Sequence, residues 1–139
     1  MFKQMKWLED RMLLNDLVFR LEHYKNDNWD LGTDCFQFYK VKELLDQYEE
    51  FFKSKEGFVA RNVLEIGMWD GGSLVLWNEL LSPMKLVGVD IQDKKPSPYF
   101  ENYVNNRNLK DKVKPFWGVD QSDTARLKKI VQEEFDSPP

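Results

Sequence analysis

The run Val63-Leu64-Glu65-Ile66-Gly67-Met68-Trp69-Asp70-Gly71-Gly72-Ser73 constrains this chain more than any other feature. A short apolar strand enters a glycine turn and leaves it as a helix, Leu74 to Leu81, closed by Ser82-Pro83. Glycine is required where backbone passes close to a ligand with no Cβ in the way. The helix that follows turns free N–H groups and the positive end of its dipole toward that ligand.

The rhythm continues downstream. Leu86 to Val89 predicts a second buried strand ending at Asp90, and a charged, proline-bearing loop covers Asp93 to Pro98. Tyr99 to Leu109 reads as helix and Val113 to Val119 as a third strand, with Pro115 speaking against it. Ser122 is expected to cap a last helix reaching about Phe135, with Leu127, Ile130 and Val131 inward. Strands alternating with helices at this spacing predict right-handed parallel βαβ units and the fold class α/β. The Val63–Ile66 strand reads as buried on both faces.

Upstream, residues 1–25 read as a helix. Met5, Leu8, Met12 and Phe19 fall near helical spacing, as do Leu14, Val18 and Leu21. The polar stretch Asn26 to Gly32 ends it, and Val41 to Phe52 predicts a second helix. The expected organisation is an N-terminal helical appendage over 1–58 and a cofactor-binding half-domain of Rossmann-like type over 59–139. With 139 residues the chain is long enough for one cored domain.

Charge and composition exclude several classes. The formal charge is −4, and Lys and Arg are dispersed among acids, which argues against a nucleic-acid backbone as main partner. No apolar run approaches a membrane span, and Lys3, Lys6, Glu9, Asp10 and Arg11 interrupt any signal peptide. Cys35 is the single cysteine, so no intrachain disulfide forms, and the expected location is cytoplasmic. Cys35 reads as a small packing residue, His23 as a surface or interface residue, and Lys94-Lys95 as a solvated loop.

The acids direct the choice of ligand. Asp90, at the end of the second strand, can accept hydrogen bonds from both hydroxyls of a ribose, and Asp120 follows the third strand. Dinucleotide folds want G-x-G-x-x-G, but here the spacing is Gly67-x-x-x-Gly71-Gly72, with Trp69 in the place of the middle glycine. Glu65 adds a carboxylate poorly suited to a pyrophosphate and helpful beside the ammonium and sulfonium of S-adenosylmethionine. A nicotinamide-binding domain is the rival reading. A non-catalytic assembly module is a third, in which the half-sheet and the N-terminal segment serve association.

Motif I and the second-strand acid of class I S-adenosylmethionine-dependent methyltransferases resemble Val63 to Ser73 followed by Gly88-Val89-Asp90. Gly118-Val119-Asp120-Gln121-Ser122-Asp123 is similar to one subgroup, the macrocin-type sugar O-methyltransferases and related proteins often labelled cephalosporin hydroxylase. Gly32-Thr33-Asp34-Cys35 and Tyr39 resemble that subgroup's upstream G-T-D-K stretch, with Cys35 in place of the lysine. The resemblance, over roughly residues 31–136, implies that Glu65, Gly67 and Gly71 line the methionine end of the cofactor. It implies that Asp90 holds the ribose and that Asp120 and Gln121 lie by the adenine. Met68, Trp69, Ser73 and Ile91 complete the implied cofactor-binding set.

In the family a fourth strand follows and carries the divalent-metal ligands and catalytic residues, whereas this sequence ends at Pro139. The expectation is a chain without an assignable catalytic base or metal site, inactive alone, from a methyltransferase acting on a hydroxyl of a small molecule or sugar. A metal is expected only with that further segment. Lacking a fourth strand, Val63–Ile66 becomes a sheet edge with unpaired backbone groups, so the expectation is either that this edge pairs with another copy as a homo-oligomer or that the chain is a piece of a longer protein.

Overall fold

The computed structural model describes residues 2–22 and 35–139. The chain divides into two compact units, Met1–Val59 and Ala60–Pro139. His23, Gly32, Thr33 and Asp34 lie outside the described residues.

The first unit opens with a single 3₁₀ turn, Phe2–Gln4. Strands β1 (Lys6–Trp7), β2 (Arg11–Leu14), β3 (Leu17–Leu21) and β4 (Phe36–Phe38) follow, then helix α1 (Lys42–Ser54). The strands form one sheet in the order β1-β2-β3-β4, antiparallel except for the parallel pair β3/β4. Within the stretch 1–25 read as a helix, Lys6 to Leu21 is therefore a β-meander, and among the described residues a sheet with one helix replaces the two-helix appendage. The apolar positions fit both periods, and tertiary packing selects the period of two. Met12, Leu14, Leu17 and Phe19 are buried while Leu13 and Val18 between them are half-buried. Leu14 pairs directly with Leu17, leaving Asn15-Asp16 as a two-residue turn with Asn15 at φ 55°. Asparagine tolerates that left-handed backbone better than most residues, so the turn chemistry favours a hairpin. Phe19 sits between Phe36 and Phe38, with ring centroids 5.4 and 5.5 Å away, and anchors this unit's core. Cys35 is half-buried.

The second unit alternates strand and helix: β5 (Asn62–Ile66), α2 (Gly72–Leu81), β6 (Lys85–Asp90), α3 (Pro98–Asn106), β7 (Val113–Trp117) and α4 (Thr124–Glu134). The three strands are parallel, in the order β5-β6-β7. Central strand β6 is buried along Leu86, Val87 and Val89. Its two faces serve different helices. Val87 and Val89 pack with Ile130 of α4, Val119 and Phe135. Gly88 faces the other way, where a Cβ would meet Met68 Sδ at 2.5 Å and Leu74 Cδ1 at 2.7 Å. A side chain at 88 would push α2 off the sheet.

Three sequence expectations change here. β5 lies at the edge, as expected, but is not buried on both faces, since Ile66 is 51% exposed and Val63 and Leu64 are half-buried. Strand β7 stops at Trp117, and it accommodates Pro115 because it too is an edge. The cap of α4 is Asp123, which accepts the N–H of Arg126 at 3.0 Å. Ser122 instead donates its N–H and hydroxyl to Asp120, each at 2.7 Å. No helix among the described residues is long and apolar enough to cross a membrane.

Candidate functional site

The carboxyl ends of β5, β6 and β7 meet around a cavity of about 230 Å³, lined by Ile66, Gly67, Val89, Asp90, Ile91, Val119, Asp120 and Gln121. Crevices at this end are where open parallel sheets take ligands, because each strand delivers its chain into a loop there. Five residues singled out from the sequence, Gly67, Asp90, Ile91, Asp120 and Gln121, line this one cavity. Ile66, Val89 and Val119 add apolar walls that the sequence did not advertise as more than strand core.

Asp90 is 8% exposed, and its carboxylate ties the two neighbouring loops together. Oδ2 accepts the backbone N–H of Trp69 at 2.7 Å, and Oδ1 accepts that of Gln92 at 2.8 Å. An ionised carboxylate offers about four acceptor positions, so these bonds leave capacity for further donors. Asp120, exposed in the loop after β7, is held by its two bonds from Ser122. They favour the ionised form and keep its pKa below the usual carboxylate value. The lining thus carries two acids and no cation.

The glycine turn is shaped by packing. Gly71 caps α2 at φ 92°, and a Cβ there would meet the Phe100 ring at 2.7 Å, so both backbone and space require glycine. Trp69 adopts φ 53° and is held on three sides. Its N–H goes to Asp90, its carbonyl accepts Trp117 Nε1, and Lys94 Nζ stands 3.7 Å from its ring centroid. Lys94 is therefore half-buried against an aromatic face, whereas Lys95 is the solvated member of that pair. This role was illegible in the sequence, where 69, 94 and 117 share no local pattern.

Besides Trp69 and Gly71, three more candidates from the sequence lie outside the cavity lining. Glu65 accepts Ser73 Oγ at 2.7 Å and Trp77 Nε1 at 3.2 Å, all within the interface of β5 with α2. Met68 is 2% exposed and fills the space over Gly88. Glu65, Met68 and Ser73 join the strand to the helix and do not line the cavity. The N-terminus of α2 is also occupied from within, since Asp70 Oδ1 accepts the N–H of Gly72 at 3.0 Å.

A larger cavity of about 470 Å³ runs beside β7 and α3, with Phe100, Val104, Pro115 and Phe116 mixed with Glu101, Lys110, Lys114 and Glu134. Its charges are of both signs, and it contains none of the strand-end acids. The smaller cavity has the better chemistry, because Asp90 and the pair Asp120 and Gln121 bring polar groups to it from the ends of two adjacent strands. Among the described residues no group of three or more His, Cys, Asp or Glu side chains could hold a metal ion. No protein-family model matches this chain, and no curated protein and no solved structure matches it.

Proposed function

We propose that the unit Ala60–Pro139 is Rossmann-like and binds the adenosyl part of S-adenosylmethionine, as part of a methyltransferase acting on a hydroxyl of a small molecule or sugar. The observation that carries this reading is the convergence of Gly67, Asp90, Ile91, Asp120 and Gln121 on one cavity at the ends of three parallel strands. Its volume of about 230 Å³ lies below the roughly 300–1,000 Å³ of drug-sized pockets and suits a nucleoside better than a whole cofactor.

The residues present fit that group. Ribose hydroxyls are donors, and Asp90 has acceptor capacity left beyond Trp69 and Gln92. Gln121 and Asp120 offer polar atoms for a base edge, while Ile66, Ile91 and Val119 supply apolar surface for its faces. When bound, the cofactor supplies an electrophilic methyl on a sulfonium, and transfer then depends on positioning an acceptor oxygen in line with it. This chain's residues orient the nucleoside and keep anions away.

Charge disfavours the nicotinamide alternative. A pyrophosphate seeks the exposed N–H groups at a helix N-terminus. Here Asp70 already takes the Gly72 N–H, and Asp90 adds a second carboxylate beside the turn. The same reading keeps the chain in the cytoplasm, where a lone thiol such as Cys35 stays reduced.

Calorimetric titration with S-adenosylhomocysteine and, separately, NADH tests this proposal. Asp120→Ala serves as the variant because its side chain is exposed and carries no part of the core. Micromolar binding of S-adenosylhomocysteine, weakened roughly tenfold or more in the variant, is the expected result. Tighter binding of NADH, or no binding by a folded chain, overturns it.

A further inference from the structure

Backbone bonds join the loops after β6 and β7, where Gly118 donates to the carbonyl of Gln92 and Val119 to that of Asp90, each at 2.9 Å. The turn after β5 is attached differently. Gly67 makes a ladder bond to Val89 at 2.8 Å, and past it the turn reaches its neighbours through side chains. Two of these attachments meet at Trp69, whose N–H goes to Asp90 and whose carbonyl accepts the indole N–H of Trp117. A tryptophan at φ 53° is strained, and such strain persists where the surroundings over-determine it, most often at sites of function.

Trp117 is fixed in turn. It ends β7, half-buried, and Phe100 of α3 meets it edge-on with ring centroids 6.1 Å apart. The same Phe100 ring lies against Gly71, at the other end of the turn. Helix α3 thus sets the indole, the indole sets the carbonyl of Trp69, and the N–H of that residue sets Asp90. Trp69 and Gln92 each occupy one acceptor position, on different oxygens of the carboxylate. Of its roughly four positions, those that remain lie on both oxygens, and the fixed plane decides where two donors must stand. Adjacent hydroxyls on one sugar ring present donors as such a pair.

We propose that Trp117 is a positioning residue of the strand-end cavity. Through Trp69 it holds the carboxylate of Asp90 at the angle that accepts both hydroxyls of a ribose. Trp117 does not itself line the cavity. The inference rests on the nucleoside reading of that cavity, and it adds the source of a preference for ribose.

Calorimetric titration of the wild-type chain and of Trp117→Phe with two ligands tests the proposal. One is adenosine, and the other is its dideoxy analogue, which lacks both ribose hydroxyls. Phenylalanine keeps an aromatic ring against Phe100 and removes the indole N–H. Wild type is expected to prefer adenosine. The variant is expected to lose about fivefold of that preference, the effect of losing one ordinary hydrogen bond, with its affinity for the dideoxy analogue unchanged. A folded variant that weakens both ligands equally, or neither, overturns the inference, because the indole then serves the fold alone. Should the variant fail to fold, solvent exchange of the Trp117 indole N–H in the wild-type chain decides, followed by NMR. Adenosine is expected to slow that exchange more than the dideoxy analogue does, and equal rates with both overturn the inference. Equal affinity of the wild type for both ligands overturns it too and leaves the nucleoside reading standing. A folded wild type that binds neither overturns the nucleoside reading, and this inference falls with it.

Discussion

The carboxylate of Asp90 accepts the backbone N–H of Trp69 at 2.7 Å, joining the end of the central strand to a turn that starts from the neighbouring strand. Gln92 donates to the other oxygen of the same group. One buried side chain thus fixes the loops that follow β5 and β6, and it holds Trp69 in a left-handed conformation that a bulky residue adopts only under constraint. Any ligand reading of Asp90 has to be separated from this structural one.

Asp90→Ala is therefore expected to destabilise the fold as well as the cavity. It removes the acceptor of the half-buried Trp69 N–H and of the exposed Gln92 N–H, and the cost falls mainly on Trp69, since a buried donor left unsatisfied costs about 1–3 kcal/mol while water can reach Gln92. Asp90→Asn keeps an acceptor oxygen for one loop and is expected to cost less than the alanine change. Urea unfolding followed by tryptophan fluorescence, read beside calorimetric titration with S-adenosylhomocysteine, separates the two roles. An Asn variant near wild-type stability that has lost binding assigns Asp90 to the ligand. Equal stability of the Ala variant and wild type refutes the loop-staple role.

Gly88→Ala introduces a methyl group into space held by Met68 Sδ and Leu74 Cδ1 at 2.5 and 2.7 Å. Overpacking of this kind costs about 1–3 kcal/mol. Met68→Ala in the same background opens the space, and a double-mutant cycle is expected to return about 0.5–3 kcal/mol of favourable coupling. Additive losses show that the helix moves aside freely and that the close approach is not needed.

The two bonds from Ser122 lower the pKa of Asp120 in the folded chain. A carboxylate with a depressed folded pKa contributes stability in full above its unfolded value, near 3.8, and loses it as pH falls through the lower folded value. Asp120→Asn is expected to flatten the acid limb of the stability curve in that window and to leave its slope near neutrality unchanged. Unfolding midpoints measured from pH 2 to pH 7 check this, and an acid limb identical in the variant removes Asp120 from it. The pH window follows directly from the unfolded value.

Local chemistry made the second unit readable from sequence. Val63–Ile66 followed by Gly67 and Gly71, and Leu86–Val89 followed by Asp90, are short apolar runs ended by residues that suit only a turn at a strand's end. Those short-range rules place strands, turns and helices, and parallel connectivity then brings the strand ends together. For the same reason Gly67, Asp90 and Asp120 came out side by side.

What tertiary structure alone decided lies where two local answers were equally good, or where a partner comes from far along the chain. Met12, Leu14 and Phe19 fit a helix face in sequence and a strand face once the Asn15-Asp16 turn intervenes, and pairing with Phe36 and Phe38 made the segment a sheet. Glu65 bears a carboxylate at a strand's end in sequence, yet α2 returns over β5 and presents Ser73 and Trp77 to it. Trp69, Lys94 and Trp117 come from separate elements, and their association exists only once β6 and β7 pair. Sequence periodicity records which residues avoid water, and only packing settles what each of them meets.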